Sequence, residues 1–251
     1  MVSNNLLWPV DSTFITAILQ LVKINRHDIA IIIPCYNEQQ IITQVVKDLL
    51  LNDYSNIIVV DDGSVTPVSS VLQQLPVICL RHTVNLGQGA AIQTGLAYAN
   101  LHHAQYAVTF DADGQHQSED IEKLITPLIS GVADVALGSR FLTQQASGIP
   151  PVRRTVLHLA RFINFCFSGL LLSDAHNGLR AFNQKAMNTI VITENRMAHA
   201  SELLLEFKAH QLTVTEVPVK ILYTSYSRNK GQHSSDGIKI LFDLVLHKLF
   251  R

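Results

Sequence analysis

The segment IAIIIP at residues 29–34 is the feature that most restricts how this chain can fold. It is apolar throughout and does not alternate between polar and apolar residues as a half-buried strand would. A continuous β-branched run of this kind is typical of a strand buried on both faces of a parallel sheet. Parallel strands need long crossover connections, usually helices. The run therefore predicts an α/β protein.

Runs of strand length alternate with helical patterns as the chain continues. Four further strands are predicted at 56–60, 76–80, 106–110 and 134–141, and helices are predicted at 41–50, 87–103 and 118–129. We expect Ser118 to form a capping box at the start of the last of these helices. The alternation predicts a doubly wound, mostly parallel sheet with peripheral amphipathic helices.

The composition is that of a globular protein with a sizeable core. Of its 251 residues, 47% are hydrophobic and 16% are charged. A formal net charge of −1 provides no basic field, so we expect no nucleic-acid partner. The three cysteines are far apart in the sequence and match neither a metal site nor a disulfide framework. This cysteine usage favours a reducing cytosol.

Polar or glycine-rich clusters follow all five predicted strands. In a doubly wound sheet these carboxyl ends meet at one edge, where ligands bind. The clusters read PCYNE, DDGS, HTVNLGQGAA, DADGQH and GSR. Each alone is compatible with an ordinary loop, but five at one edge predict a binding site.

Two of these clusters admit both a structural and a functional interpretation. Asp61 and Asp62 precede Gly-Ser, which favours a turn, but a carboxylate there can also bind the hydroxyls or base edge of a nucleotide. Glu38 offers the same choice after the first strand. Gly87 and Gly89 open a helix, where glycine allows close backbone approach and the helix start favours an anion.

Asp111 and Asp113 follow the fourth strand and are the sharper signal. Mg²⁺ or Mn²⁺ is usually held by one or two carboxylates together with the phosphates of a substrate. Gln115 can add a neutral oxygen, whereas His116 fits a loop histidine better than a metal ligand. The pair predicts a divalent-cation site, and a solvated acidic loop before the next helix is the alternative.

Seven motifs in a fixed order link the chain to a known family. They are PCYNE (34–38), VVDDGS (59–64), NLGQGAA (85–91), DADGQH (111–116), GSR (138–140), DAHNGLRAF (174–182) and YSRNKGQ (226–232). With them the chain resembles the family 2 glycosyltransferases of the GT-A fold, which is Rossmann-like. Within that family it is similar to the synthases that attach mannose or glucose to dolichyl or undecaprenyl phosphate.

The resemblance implies a role for each group of site residues. The nucleotide sugar, carrying UDP or GDP, would contact Pro34, Tyr36, Asn37, Glu38, Asp61, Asp62, Gly87, Gln88, Asp111, Ala112 and Asp113. The cofactor, Mg²⁺ or Mn²⁺, would be held by Asp111, Asp113 and Gln115. The acceptor phosphate would meet Arg140, Arg180, Arg228 and Lys230. Asp113, Arg140 and Arg228 would act in catalysis.

The sequence departs from the family pattern in places. Gln88 stands where several branches carry lysine, and 231–234 reads Gly-Gln-His-Ser where the acceptor loop often reads Gly-x-Ser-Lys. A predicted helix at 12–23 precedes the first strand. We therefore divide the chain into an N-terminal extension (1–27), a GT-A domain (28–232) and a C-terminal amphipathic helix (233–251).

Two apolar segments bear on membrane contact. The segment 155–172 is interrupted by polar residues, so we expect no spanning helix there. The helix at 233–251 has a narrow polar stripe, and three interpretations stay open: a lipid interface, a membrane-protein partner or burial in the core. Together with a lipid acceptor, these segments predict a peripheral protein at the cytoplasmic face of the membrane. A homo-oligomer is also compatible with the sequence.

The predicted activity is inverting transfer of a sugar from a nucleotide diphosphate sugar to a polyprenyl phosphate. Such an acceptor is already largely ionised near neutral pH and needs no strong base. The first alternative is transfer to a saccharide hydroxyl in cell-surface glycan synthesis, with Glu202 or Asp174 as the catalytic base. The second is a non-catalytic nucleotide-sugar-binding partner of a membrane protein.

Overall fold

The computed structural model describes residues 25–142, 165, 169–175, 177–196 and 198–222. Several predicted features lie outside these residues: the helices at 12–23 and 233–251, most of the segment 153–172, and the residues Arg228 and Lys230.

One seven-stranded sheet organises the described part of the chain. Its strands are β1 (Ile29–Cys35), β2 (Ile57–Asp61), β3 (Ile78–Arg81), β4 (Tyr106–Thr109), β5 (Val135–Ser139), β6 (Arg180–Asn183) and β7 (Val214–Pro218). Their spatial order is β3-β2-β1-β4-β6-β5-β7. Strand β6 runs antiparallel to both neighbours, and every other pairing is parallel. The prediction of a mostly parallel α/β sheet is confirmed.

Helices cover both faces of this sheet. They are α1 (Ile42–Leu51), α2 (Ser69–Leu72), α3 (Gln88–Leu101), α4 (Asp120–Ile129), α5 (Gln184–Thr189) and α6 (His199–Ala209). Strand β1 is buried on both faces as predicted: Ile31 and Ile33 pack into the core beneath α1 and α4, whereas Ile32 packs into the core beneath α3 and α6. None of the helices in the described ranges is long and apolar enough to span a bilayer.

All five strands predicted from the sequence are present, but β6 and β7 were not predicted. Strand β6 separates β4 from β5, so the fourth and fifth strands are not neighbours. The capping box at Ser118 was wrong. Helix α4 begins two residues later and has no side-chain cap, and the Ser118 hydroxyl instead donates to Asp48 of α1 at 2.7 Å.

Candidate active site

Most of the predicted site residues that the structure describes lie at or near the edge where the parallel strands end. Because β6 is antiparallel, it begins at this same edge, and its first residue, Arg180, lies in register with Thr109 of β4 and Leu137 of β5. The fold therefore brings the segments after β4 and β5 and the start of β6 to one place. That convergence is what the sequence predicted for the strand ends, with β6 as an addition.

Asp61 is buried and its carboxylate is engaged by the protein. It accepts hydrogen bonds from the backbone N–H groups of Ser64 at 2.9 Å and Val68 at 3.0 Å, and the Arg81 guanidinium lies 3.4 Å away. Only 3% of the residue is exposed. Asp61 thus holds the turn after β2, which is the structural interpretation of the two offered by the sequence.

Asp62 performs the same task for the next loop. Its carboxylate accepts from the N–H groups of Leu86 at 2.9 Å and Gly87 at 2.7 Å, and it contacts His82 Nδ1 at 2.8 Å. The other ring nitrogen of His82 lies 2.9 Å from the Thr94 hydroxyl of α3. Asp62 therefore joins the end of β2 to the loop before α3, and its contact with the base stays a prediction.

The loop after β1 is fastened to the loop after β2. The Asn37 backbone, at a positive φ of 57°, donates to the Ser64 hydroxyl at 2.9 Å, and its side chain accepts from Val65 N–H at 3.0 Å. Tyr36 is 43% exposed and Glu38 only 7%. Among these residues Tyr36 offers the ring surface on which a base can stack, with Pro34 half-buried beside it.

Gly87 and Gly89 do permit close backbone approach, but the neighbour is another part of this chain. A Cβ on Gly87 would lie 2.3 Å from the Asn195 carbonyl oxygen, and one on Gly89 would lie 2.0 Å from the Glu194 carbonyl oxygen. The Asn195 carbonyl also accepts from Ala90 N–H at 3.3 Å. Segment 194–195 therefore packs against both glycines, and contact of the start of α3 with an anion stays a prediction.

Asp111 lies at the centre of a hydrogen-bond network. One carboxylate oxygen is 3.0 Å from His116 Nε2 and the other accepts from the Gln88 amide at 3.1 Å. Burial alone would raise the pKa of Asp111, but the hydrogen bond and charge of His116 and the charge of Arg180 together lower it. Gln88 thus binds Asp111 directly through a neutral amide, at the position where several branches of the family carry lysine.

The pKa of Asp113 is shifted in the opposite direction to that of Asp111. Burial and the negative charge of Asp111 raise its pKa, against the hydrogen bond that its carboxylate accepts from Gln115 N–H at 3.0 Å. Ala112 between the two aspartates is buried. Two carboxylates that destabilise each other in this way form a place where a cation relieves repulsion.

In the described part of the chain, Asp111 and Asp113 offer a divalent metal ion two carboxylates, with Gln115 as the predicted neutral ligand. Among the residues that the structure describes, no three histidine, cysteine, aspartate or glutamate side chains are grouped so that they could hold a metal ion. Two carboxylates completed by the phosphates of a substrate are the usual arrangement for Mg²⁺. The donor set of Asp111 and Asp113 fits such a shared ion.

Gly178 and Arg180 support Asp111 from the β6 side. A Cβ on Gly178 would lie 2.2 Å from a carboxylate oxygen of Asp111, so the carboxylate rests directly on the glycine backbone. Arg180 is 4% exposed and its Nε donates to the Asn177 carbonyl at 2.9 Å. Burial lowers its pKa to about 10, while the charges of Asp111 and Asp174 act in the other direction. Arg180 therefore stays charged, and its burial favours an electrostatic role over the predicted direct contact with the acceptor phosphate.

Arg140 and Asp174 form a bidentate ion pair. Arg140 Nε and Nη2 donate to the two carboxylate oxygens of Asp174 at 2.7 and 2.8 Å, and the Arg140 backbone N–H donates at 3.1 Å. Burial would raise the pKa of Asp174, but the bonds and charge of Arg140 lower it. Asp174 is consequently a fixed anion that orients Arg140 and is poorly suited to act as a base.

Glu202, the other predicted base, is also engaged. Its carboxylate accepts from the N–H groups of Thr193 at 3.1 Å and Glu194 at 2.9 Å, and from the Thr193 hydroxyl. Glu202 therefore anchors the segment that packs against Gly87 and Gly89.

His199 lies near the site and was missed by the sequence analysis. It is 4% exposed, and its Nδ1 lies 2.6 Å from the Arg196 carbonyl oxygen, which fixes Nδ1 as the protonated nitrogen. Burial and the charge of Arg180 lower its pKa to about 4, so the ring is neutral at pH 7. The spacing of HASELLLEF marks a helix but cannot show that its first histidine is buried.

The depressed pKa of His199 leads to a prediction about stability. As pH falls from 6.5 to 4, His199 becomes protonated in the unfolded chain but stays neutral in the folded chain. The folded state therefore loses stability over that range. The loss by pH 4.5 is about 2–3 kcal/mol. Denaturant unfolding of the wild type and His199→Gln at pH 7.5 and 4.5 measures it. We expect a smaller decrease in the variant, and equal decreases would contradict the burial of a neutral histidine.

The comparisons with known proteins agree with this geometry. The family model described as glycosyl transferase family 2 matches residues 30–191. A UDP-N-acetylglucosamine–dolichyl-phosphate N-acetylglucosaminyltransferase of Methanococcus voltae is 36% identical over 241 residues, covering 88% of this chain and 96% of the relative. A polyprenol monophosphomannose synthase of Mycolicibacterium smegmatis is 28% identical over 218 residues, covering 83% and 82%.

A solved structure shares the fold. Glucosyl-3-phosphoglycerate synthase of Mycobacterium tuberculosis, solved with Mn²⁺, UDP and phosphoglyceric acid, superposes with a TM-score of 0.63 at 16% identity. The match covers 92% of this chain and 81% of the other. Sequence and fold thus point the same way: the chain belongs to glycosyl transferase family 2, and it is a glycosyltransferase of the GT-A fold.

Proposed function

We propose that this enzyme transfers a sugar from a nucleotide diphosphate sugar to a polyprenyl phosphate, with inversion at the anomeric carbon. The observation that carries the proposal is the state of the two candidate bases. Asp174 is held by Arg140 and Glu202 by backbone N–H groups. A hydroxyl acceptor needs a free base, whereas a phosphate monoester is already ionised near pH 7. The two relatives named for dolichyl-phosphate and polyprenol substrates support the same acceptor class.

The charges around the edge fit this reaction. Asp111 and Asp113 would hold Mg²⁺ or Mn²⁺ against the diphosphate of the donor, and the ion would neutralise charge on the leaving group. Gln88 and His116 orient Asp111 for that task. Arg140, with its guanidinium plane fixed by Asp174, presents a cation on the side of β5 where an acceptor phosphate would bind.

The same proposal defines the partners. The donor is a UDP- or GDP-sugar. We expect its base to stack on the Tyr36 ring, near Glu38. The acceptor lies in a membrane, so we infer that the protein works as a peripheral enzyme on the cytoplasmic face, alone or with a membrane-protein partner. The family resemblance adds Gln115 as a metal ligand. It also adds Arg228 and Lys230, which lie outside the described residues, as contacts of the acceptor phosphate.

The test is a transfer assay with two classes of acceptor. Purified protein is incubated with UDP- and GDP-sugars, Mn²⁺, and either undecaprenyl or dolichyl phosphate or a panel of saccharides. We expect a glycosyl-phosphoryl-polyprenol, and we expect Glu202→Gln to retain transfer to within about tenfold, since no base is required. Transfer only to saccharides, abolished in Glu202→Gln with donor binding intact, would establish the hydroxyl alternative.

Thermal unfolding with each nucleotide sugar and Mn²⁺ provides the binding control. A donor at 100 times its dissociation constant adds about 2.7 kcal/mol to the free energy of unfolding. Binding of a donor without transfer to any acceptor would favour the non-catalytic alternative.

A further inference from the structure

We propose that Glu216 is a positioning residue for Arg140, acting through Ser173 and Asp174. This proposal rests on the proposed function, in which Arg140 binds the acceptor phosphate. Glu216 lies in β7, in register with Leu137 of β5, so a regular strand pair fixes its backbone. It does not itself contact the reacting groups.

The first step of the connection is a cluster of hydrogen bonds to one carboxylate. Glu216 accepts from Ser173 N–H at 2.8 Å, from the Ser173 hydroxyl at 2.8 Å and from Asp174 N–H at 2.9 Å. The same hydroxyl lies 2.5 Å from the Ser139 hydroxyl at the end of β5. Glu216 thereby fixes the backbone of two consecutive residues against the sheet.

The second step is the ion pair already described. Asp174 is 5% exposed and engages Arg140 through two guanidinium nitrogens and the backbone N–H. A bidentate pair fixes the plane of the guanidinium as well as its position. Because the Asp174 side chain projects from a backbone that Glu216 holds, release of that backbone changes where the guanidinium points.

A purely structural role for Glu216 must be distinguished from this one, and the chain offers a matched control. Asp134 fastens the opposite end of the same strand pair: it accepts from Thr213 N–H and the Thr213 hydroxyl, both at 2.9 Å, and from Lys185 at 2.8 Å. Each carboxylate accepts from the backbone N–H and the hydroxyl of one residue elsewhere in the chain, Glu216 from Ser173 and Asp134 from Thr213. Only the connection from Glu216 continues to an arginine at the proposed site.

The experiment compares Glu216→Gln with Asp134→Asn in the full-length protein. Glutamine keeps the shape of the side chain but removes the negative charge that strengthens the three hydrogen bonds accepted by Oε1, and its NH2 group at the Oε2 position opposes Ser173 N–H. We expect Glu216→Gln to raise the KM for polyprenyl phosphate about tenfold and to leave the dissociation constant of the nucleotide sugar within about twofold. Asp134→Asn should lower the midpoint of denaturant unfolding and leave both constants unchanged.

Arg140→Lys completes the test as a double-mutant cycle. If Glu216 acts through Arg140, Glu216→Gln should have no further effect on the acceptor KM in the Arg140→Lys background. Independent, additive effects would overturn the proposal, and so would an unchanged acceptor KM in Glu216→Gln or an equal increase in Asp134→Asn.

An activity-independent measurement separates this proposal from the proposed function. The NMR signal of Arg140 Nε–H can be assigned by its loss in Arg140→Lys. We expect a sharp signal in the wild type and a broadened one in Glu216→Gln. A wild type that fails to use polyprenyl phosphate but shows this change would refute the proposed acceptor and retain the positioning role. An unchanged Arg140 signal in Glu216→Gln would refute the positioning role whatever the acceptor.

Discussion

Asp113→Asn is expected to lower metal-dependent sugar transfer by about 1,000-fold or more. Asp113 is the less stable carboxylate of the proposed cation site, because burial and Asp111 raise its pKa. Loss of its charge leaves Asp111 alone to compensate the cation, and the departing nucleoside diphosphate loses its neutralising partner. Steady-state kinetics with Mn²⁺ and a titration of Mn²⁺ binding by electron paramagnetic resonance measure the two effects.

The same substitution should not destabilise the protein. The wild type keeps two mutually repelling carboxylates in its folded state, and asparagine removes one of the charges. We therefore expect an equal or higher free energy of unfolding without metal, together with weaker Mn²⁺ binding. Full activity in Asp113→Asn, or inactivity accompanied by global unfolding, would contradict this account of the pair.

Gly178→Ala is expected to lower turnover by about 100-fold with the fold retained. The added Cβ would lie 2.2 Å from an Asp111 carboxylate oxygen and 2.7 Å from its Cγ. Only movement of the carboxylate or of the segment before β6 can relieve such short separations. Displacement of a reacting group by about 1 Å can cost this factor in rate. Kinetics, Mn²⁺ titration and circular dichroism of the variant measure the outcome.

Gly131→Ala is the matched control for removing a glycine. Gly131 has a positive φ of 70°, and a Cβ there would meet nothing within 4 Å. Alanine should therefore cost about 1 kcal/mol of stability through backbone strain and leave kinetics unchanged. If Gly178→Ala behaves like this control, the contact between Gly178 and Asp111 has no catalytic importance.

Strands β1, β2 and β4 could be predicted because each overlaps a mainly apolar run that is bounded by polar or turn-forming residues. Strand β6 could not, because it is defined by antiparallel pairing with β4 and β5, which are more than 40 residues away in the sequence. Its insertion depends on tertiary contacts that no local period reveals.

The acidic pair of the site was predictable, but its surroundings were not. Asp111 and Asp113 lie two positions apart in the sequence and carry their chemistry in their side chains. Gly178, by contrast, is important because of an atom 67 positions earlier in the chain, and Glu216 through the backbone of Ser173. His116 does lie in a loop, as predicted, but its sequence position does not show that it is buried against Asp111.

The buried carboxylates of Asp61 and Asp62 have a consequence for the thermodynamics of donor binding. They hold the loops after β2 and β3 in one conformation through backbone N–H groups before any ligand arrives. The conformational entropy of these loops is thus lost when the chain folds and not when the nucleotide associates. Calorimetry should then show a small unfavourable entropy for nucleotide association, and Asp62→Ala should enlarge it without removing any direct contact between Tyr36 and the base.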